Sequence, residues 1–183
     1  MTQRRIYQEE FPYFITFRTM DGYPLFEKTK YTALLAREIF VSACIKHFNV
    51  LSYQIMPDHV HLLTCKCERT FEKVRSETGE SYFLNHNRIS TPERTFSNVR
   101  SRKKSYTISD LMQSIKGNFS RKIHHGNIWQ KRFNTRLVNT DEYLATIIDY
   151  IKNNPTKENL PKKFRRMPYQ YSDEGKIKAL LFT

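Results

Sequence analysis

Acidic residues are scarce in this sequence. Its 18 aspartates and glutamates stand against 31 lysines and arginines, a formal net charge of +13 over 183 residues. This surplus favours a polyanionic partner, nucleic acid before an anionic membrane surface, although some basic soluble proteins need neither. No apolar run approaches the ~20 residues that span a bilayer, and the N-terminus lacks the apolar core of a signal peptide. The sequence therefore predicts no membrane partner and a cytoplasmic, nucleoid-associated protein.

Cysteine is also scarce. The three cysteines Cys44, Cys65 and Cys67 form an odd set without framework spacing, which predicts free thiols in a reducing compartment. On one extended strand Cys65 would lie roughly 20 Å from His59, too far for both to bind one zinc ion. Hydrophobic content of 39% and aromatic content of 14% indicate a folded globule with a single core.

Hydrophobic periodicity predicts the order β-α-β-β-α-β followed by a helix. This order fits a ferredoxin-like α+β sandwich, with an antiparallel sheet, two helices on one face and the other face available for a site. The predicted elements are a strand at 11–18, a helix at 31–48, strands at 51–56 and 59–65, a helix that starts at Thr107 and ends at Gly126, a strand at 128–138, and a helix capped by Thr140 and stopped by Pro155.

Two segments depart from this pattern. Residues 68–105 are polar and without lasting periodicity, which predicts a long insertion that is either mobile or functional. From about 156 the chain continues as a basic and then irregular tail. Neither segment indicates a second domain, so a single domain over 1–183 is expected.

Two histidines one residue apart, His59 and His61, lie in the run MPDHVHLL at 56–63. On a strand, both imidazoles project to one face, whereas Val60 and Leu62 project to the other. Two neighbouring neutral imidazoles can begin a divalent-metal site. The pair predicts such a site and requires a third ligand from another part of the chain.

The last predicted helix carries Tyr150 and, one turn later, Asn154. A hard ion, Mg²⁺ or Mn²⁺, bound by His59, His61 and Asn154 would polarise a phosphodiester, and the Tyr150 oxygen would attack phosphorus to form a covalent phosphotyrosine. Each residue also has a structural interpretation, Tyr150 as a half-buried aromatic and Asn154 as a helix-ending residue. The functional interpretation depends on their combination.

Cations dominate residues 97–140, where ten lysines and arginines accompany one acidic residue, Asp110. Such a stretch is expected to bind phosphates with steep salt dependence. Its Trp129 would either stack on unpaired bases or pack in the core. The predicted DNA-binding residues are Lys116, Arg121, Lys122, Trp129, Lys131, Arg132 and Arg136.

MPDHVHLL resembles the HUH motif of single-tyrosine transposases, especially the REP-associated tyrosine transposases and related small insertion-sequence enzymes. DYIKNNP at 149–155 is similar to the family's helix motif, a tyrosine followed four residues later by asparagine and proline. IWQKRF at 128–133 is similar to its Trp-Gln-x-Arg segment, and FITFRT and YQYS match further landmarks. Asp58 stands where many members have asparagine.

The resemblance implies a ferredoxin-like HUH catalytic domain with an additional C-terminal catalytic helix. It implies metal-dependent nicking and ligation of single-stranded DNA, often beside a hairpin, through a 5′-phosphotyrosine. By position, His59 and His61 become metal ligands, Asn154 the third ligand and Tyr150 the nucleophile. A homodimer is compatible with this layout.

Three functions are therefore in competition. The leading hypothesis is a DNA-strand transferase of the HUH transposase type. The second is a non-catalytic regulator that binds DNA hairpins, such as a domesticated relative. The third is a metal-dependent nuclease with a structural Tyr150, which would need a general base that the sequence does not place.

Overall fold

A computed structural model of the chain describes residues 11–67 and 105–181. The predicted insertion at 68–105 lies, apart from its last residue, outside the described residues, so the prediction of an insertion stays open. The strands are β1 (Tyr13–Arg18), β2 (Phe48–Ile55), β3 (His59–Lys66), β4 (Asn134–Leu137) and β5 (Gln170–Ser172), and the helices are α1 (Thr29–Lys46), α2 (Ile108–Ile123), α3 (Asp141–Lys157) and α4 (Glu174–Leu181).

The five strands form one sheet in the order β4-β1-β3-β2-β5, and every pairing is antiparallel. The β2–β3 hairpin is tight, and its backbone is closed by a 2.8 Å hydrogen bond from Met56 N to His59 O. This topology confirms the predicted ferredoxin-like α+β fold. One further edge strand, β5, was not predicted.

Strand alternation divides the core into two layers. Ile15 and Leu62 point to the face that packs on α1 and α2, and both are fully buried. Phe14 and Leu63 point to the opposite face, where they pack against apolar residues of α3. Fully burying such a side chain stabilises the fold by about 1.5–3 kcal/mol. The burial of Phe14 and Leu63 under α3 therefore holds this helix on the face of the sheet opposite α2.

Side-chain caps mark the starts of α2 and α3, as predicted. Thr107 and Asp110 form a reciprocal capping box at α2, in which Thr107 N donates to Asp110 Oδ2 at 2.8 Å. Thr140 caps α3 by accepting a hydrogen bond from Tyr143 N at 3.2 Å. Both caps satisfy backbone donors that a helix N-terminus would otherwise leave unpaired.

The predicted helix ends were wrong. Helix α2 ends at Ile123, three residues before Gly126, because His124 adopts a left-handed conformation with φ 50°. Helix α3 continues through Pro155 to Lys157. Proline has no backbone N–H, so α3 loses one backbone hydrogen bond at Pro155. Because Pro155 lies two residues from the helix end, the other backbone hydrogen bonds of α3 are kept.

Two strand predictions also need correction. The strand expected at 128–138 is limited to β4, and the preceding residues make one isolated bridge, Thr19 to Trp129. The tail expected to be irregular contains β5, which pairs with β2, and then α4. Three-residue strands carry too little periodicity to be recognised, and β5 depends on its pairing partner.

The residues that border the undescribed segment make hydrogen bonds with the rest of the fold. The Lys66 ammonium donates to the backbone carbonyl of Tyr106, and Cys67 N donates to His47 O at 3.0 Å. Within residues 11–67 and 105–181, no helix has the length and apolarity needed to cross a bilayer.

Candidate metal and tyrosine site

The two histidines project from β3 to the face that α3 covers. Their β1 partners in the register are Arg18 for His59 and Thr16 for His61. Both imidazoles are buried, with 5% and 4% of their surface exposed. Their Nε2 atoms lie 3.2 Å apart, so the structure confirms that the pair shares one face and converges on one point.

The other ring nitrogen of each histidine has its own partner. His59 Nδ1 lies 2.6 Å from Asp58 Oδ1, and because an ionised carboxylate can only accept, Nδ1 is the donor in this contact. His61 Nδ1 lies 3.0 Å from the hydroxyl of Thr16, which can donate or accept. These contacts fix both ring planes, as the outer partners of metal-binding histidines do.

Burial keeps His61 neutral. Together with the neighbouring His59 and Arg18, and against an opposing effect of Asp58, it lowers the pKa of His61 to about 3. The imidazole is therefore uncharged at neutral pH. Only the neutral form offers a lone pair to a metal ion.

Tyr150 extends from α3 to the same point. Its hydroxyl oxygen lies 3.4 Å from His61 Nε2, and its ring packs edge-on against Phe14 with centroids 6.0 Å apart. The ammonium of Lys157 lies 5.8 Å from the centre of the Tyr150 ring. A half-buried phenol beside a histidine pair and a cation is suited to reaction with a phosphate.

Asn154 follows Tyr150 by one turn and is 4% exposed. Its Nδ2 is buried and has no hydrogen-bond partner among the residues that the structure describes. The Nε2 atoms of His59 and His61 are closer than twice a typical metal–nitrogen bond of about 2.1 Å, so one ion can contact both. No group of three His, Cys, Asp or Glu residues forms a metal site in the described ranges. The role of Asn154 as third ligand stays a prediction.

A row of polar residues crosses the whole sheet through His61. Gln54, one of its members, is fully buried, and its Oε1 has no hydrogen-bond partner in the described part of the chain. Gln170 Nε2 donates to Lys152 O of α3 at 3.0 Å. Thr16, Gln54 and Gln170 were not among the predicted site residues; the i+2 spacing of Phe14, Thr16 and Arg18 indicates a shared face but not the strand register that places Thr16 beside His61. From edge to edge, the row consists of Asn134, Thr16, His61, Gln54 and Gln170.

The predicted DNA-binding residues of α2 lie on the other face of the sheet, and each has a protein partner. Lys116 donates to Gln130 O at 2.6 Å, and burial lowers its pKa. Arg121 donates to Asn118, and the Lys122 ammonium pairs with the carboxylate of Glu38. The structure does not bring these three residues to the histidine pair.

The structure corrects the prediction that Trp129 binds DNA. It is 5% exposed and packs against Phe17 and Phe119 with ring centroids 5.3 and 5.6 Å away. Its indole N–H donates to Lys116 O at 3.2 Å. A ring enclosed in this way cannot stack on a DNA base, so the core interpretation is the correct one.

The remaining predicted cations are exposed. Lys131 and Arg132 precede β4, and Arg136 lies within it. Arg136 is the register partner of Phe14, and directly paired strand residues project to the same face. Arg136 therefore projects to the face of the histidines, as does Arg18, whose side chain is 52% exposed.

Comparisons with known proteins agree with this fold. No protein-family model and no curated protein match the sequence. Among solved structures, the chain is similar to a REP-associated tyrosine transposase bound to a REP hairpin, with a TM-score of 0.62 and 20% identity over 93% of this chain and 81% of that one. A candidate transposase from Deinococcus radiodurans R1 has 18% identity over 84% of this chain and 97% of that one, and its TM-score of 0.43 is too low to bear on the fold. This chain therefore has the fold of a REP-associated tyrosine transposase, in agreement with the resemblance of its motifs.

Proposed function

We propose that this protein is a metal-dependent transposase that cleaves and rejoins single-stranded DNA near a hairpin. The observation that carries the proposal is the Tyr150 hydroxyl 3.4 Å from His61 Nε2, which is itself 3.2 Å from His59 Nε2. A shared fold with a transposase bound to a hairpin supports the same substrate class. Fold alone does not assign chemistry, so the geometry of the site is the main argument.

The proposed reaction is a transfer of a phosphoryl group to tyrosine. The Tyr150 oxygen attacks the phosphorus of a phosphodiester and loses its proton to water, and an O–P bond forms. The bond from phosphorus to the 3′-oxygen breaks, and that oxygen takes up a proton to become a 3′-hydroxyl. The product is a 5′-phosphotyrosine. Attack by another 3′-hydroxyl reverses these steps without a nucleotide cofactor.

The histidine pair and Asn154 would bind Mg²⁺ or Mn²⁺. The ion supplies charge neutralisation at the phosphodiester and thereby favours attack by an oxygen nucleophile. The histidine half of the donor set fits this ion, because Nε2 of His59 and of His61 lie 3.2 Å apart, and Asn154 would add its amide oxygen as the third ligand. With two nitrogen ligands and one oxygen ligand from the protein, the ion would keep coordination positions for phosphate and water.

The exposed cations of the α3 face suggest the path of the DNA strand. Arg18 and Arg136 project to this face, and Lys157 lies beside Tyr150. Their charges attract a phosphodiester backbone to the point where the phenol can react. The cations of α2 would contact a separate stretch of DNA, since the sheet lies between them and Tyr150.

A covalent-adduct assay tests the proposal. Labelled single-stranded hairpin DNA is incubated with Mn²⁺ and the protein, and denaturing gels are examined for a protein–DNA adduct. The wild type should form the adduct, and Tyr150→Phe should bind DNA but form none. Tyr143→Phe is the matched control, because Tyr143 is a second partly buried tyrosine of α3, and it should form the adduct normally.

Other outcomes identify the competing functions. An adduct formed equally by Tyr150→Phe would refute the assignment of the nucleophile. Cleavage by the wild type without an adduct would indicate a metal-dependent nuclease. Hairpin binding without cleavage would indicate a non-catalytic regulator.

A further inference from the structure

The two histidines differ in the group behind them. His59 Nδ1 contacts a carboxylate, Asp58 Oδ1, at 2.6 Å, whereas His61 Nδ1 contacts a neutral hydroxyl, that of Thr16, at 3.0 Å. A carboxylate behind an imidazole raises its basicity and fixes its orientation, and a hydroxyl fixes orientation with less effect on charge. The two halves of the pair are therefore not equivalent as ligands.

Asp58 is itself rigidly positioned. Its backbone carbonyl accepts hydrogen bonds from Thr19 N at 2.8 Å and from the Thr19 hydroxyl at 2.9 Å. The side chain is 28% exposed, and Oδ2 lies 4.0 Å from Arg18 Nη1. One carboxylate oxygen thus faces the histidine, while the other faces a cation at the rim of the site.

We propose that Asp58 is a positioning residue that acts through His59 and strengthens its binding of the metal ion. The carboxylate determines which nitrogen of His59 carries the proton, so that Nε2 is available to the ion without a change of tautomer. His59 is then the stronger ligand of the pair. This inference rests on the proposed function, since it assumes that the histidines bind a divalent ion.

Mn²⁺ binding to the full chain, followed by electron paramagnetic resonance of the free ion, tests the inference without DNA or activity. Asp58→Asn keeps the shape of the side chain and removes its charge. It should raise the Mn²⁺ dissociation constant about tenfold, the lower end of the 10- to 100-fold effect of outer partners. Asp58→Glu, which retains a carboxylate, should bind Mn²⁺ more tightly than Asp58→Asn does.

Asp149→Asn is the matched control. Asp149 is an exposed carboxylate next to Tyr150 whose side chain contacts Asn153, and its loss changes net charge equally. It should leave the dissociation constant within about twofold of the wild type, because exposed charges are strongly screened. An equal loss in Asp149→Asn and Asp58→Asn would overturn the inference, since the effect would then be one of net charge.

His59→Ala separates this inference from the proposed function. If His59→Ala abolishes Mn²⁺ binding while Asp58→Asn binds like the wild type, the role of Asp58 is refuted and the metal site stands. If His59→Ala also binds like the wild type, both are refuted. Weaker Mn²⁺ binding in His59→Ala and in Asp58→Asn, with normal binding in Asp149→Asn, supports both the metal site and the role of Asp58.

Discussion

At the scale of single residues, a buried charge gives Lys122 a structural role. The Glu38 side chain of α1 is 1% exposed and pairs with the Lys122 ammonium of α2, which is 45% exposed. A buried carboxylate that loses its partner is costly because no water replaces the lost interaction. This pair explains why a lysine within the predicted DNA-binding stretch matters to the packing of α2 on α1.

Lys122→Met keeps the length of the side chain but leaves Glu38 unpaired. We expect the free energy of unfolding, measured with urea, to fall by about 1–2 kcal/mol, less than for a fully buried pair because the lysine is half exposed. Lys131→Met, at an exposed cation, should leave stability unchanged. A Lys122→Met protein with normal stability and weaker DNA binding would contradict this expectation and favour the DNA-binding role.

At the scale of elements, the tyrosine helix is attached to the sheet by the C-terminal segment. Gln170 of β5 donates to Lys152 O, two residues after Tyr150, and the Lys152 ammonium pairs with Glu174 of α4 at 2.6 Å. Both contacts act on the turn of α3 between the phenol and Asn154. The segment that was expected to be an irregular tail therefore takes part in positioning the site.

Gln170→Ala removes the hydrogen bond from β5 to α3. Because small displacements of a reacting group slow a reaction strongly, we expect adduct formation to slow by up to about tenfold. Mn²⁺ affinity should change less than this rate, since two of the three proposed ligands, His59 and His61, belong to β3 and only Asn154 belongs to α3. Ser172→Ala on the same strand, where the hydroxyl contacts Ser52 at 3.2 Å, is the control. Equal rates in wild type and Gln170→Ala would contradict the positioning role.

Sequence periodicity predicted the elements that carry the site, but not every contact within it. The alternation around His59 and His61 was sufficient to place both on one face, and the helical spacing placed Tyr150 at the edge of a buried stripe. Thr16 and Gln54 could not be assigned, because their proximity to His61 depends on strand register, which is fixed only when the sheet assembles. Trp129 was ambiguous because an aromatic residue among cations suits either a core or a base-stacking surface.

At the scale of the whole molecule, the sheet separates two basic surfaces. Arg18 and Arg136 share a face with the proposed site, whereas Arg121 belongs to α2 on the opposite face. The basic residues behind the net charge of +13 are therefore divided between two faces of the sheet. We expect Arg18 and Arg136, on the site face, to contact the phosphodiester that Tyr150 would attack more directly than Arg121 does.

Arg136→Gln and Arg121→Gln remove the same charge from opposite faces. At limiting DNA concentration, Arg136→Gln should lower the yield of adduct, and it should reduce the slope of log affinity against log salt by about 0.7, the value for one phosphate contact to a single strand. Arg121→Gln should leave the adduct yield near that of the wild type. Equal losses in both variants would mean that the reacting strand also contacts α2.

The contact between Lys66 and Tyr106 has a consequence for how this domain tolerates change in length. That contact shows that the backbone of Tyr106 lies within reach of the Lys66 side chain, so the chain between these residues has only a short distance to span. Doubling the length of a flexible connection costs only about 0.6 kcal/mol in closure entropy, so we expect a change in the number of residues between Lys66 and Tyr106 to leave the positions of the histidines and the phenol unchanged. A new module could therefore be grafted between these two residues without rebuilding the strands and helix that carry His59, His61 and Tyr150.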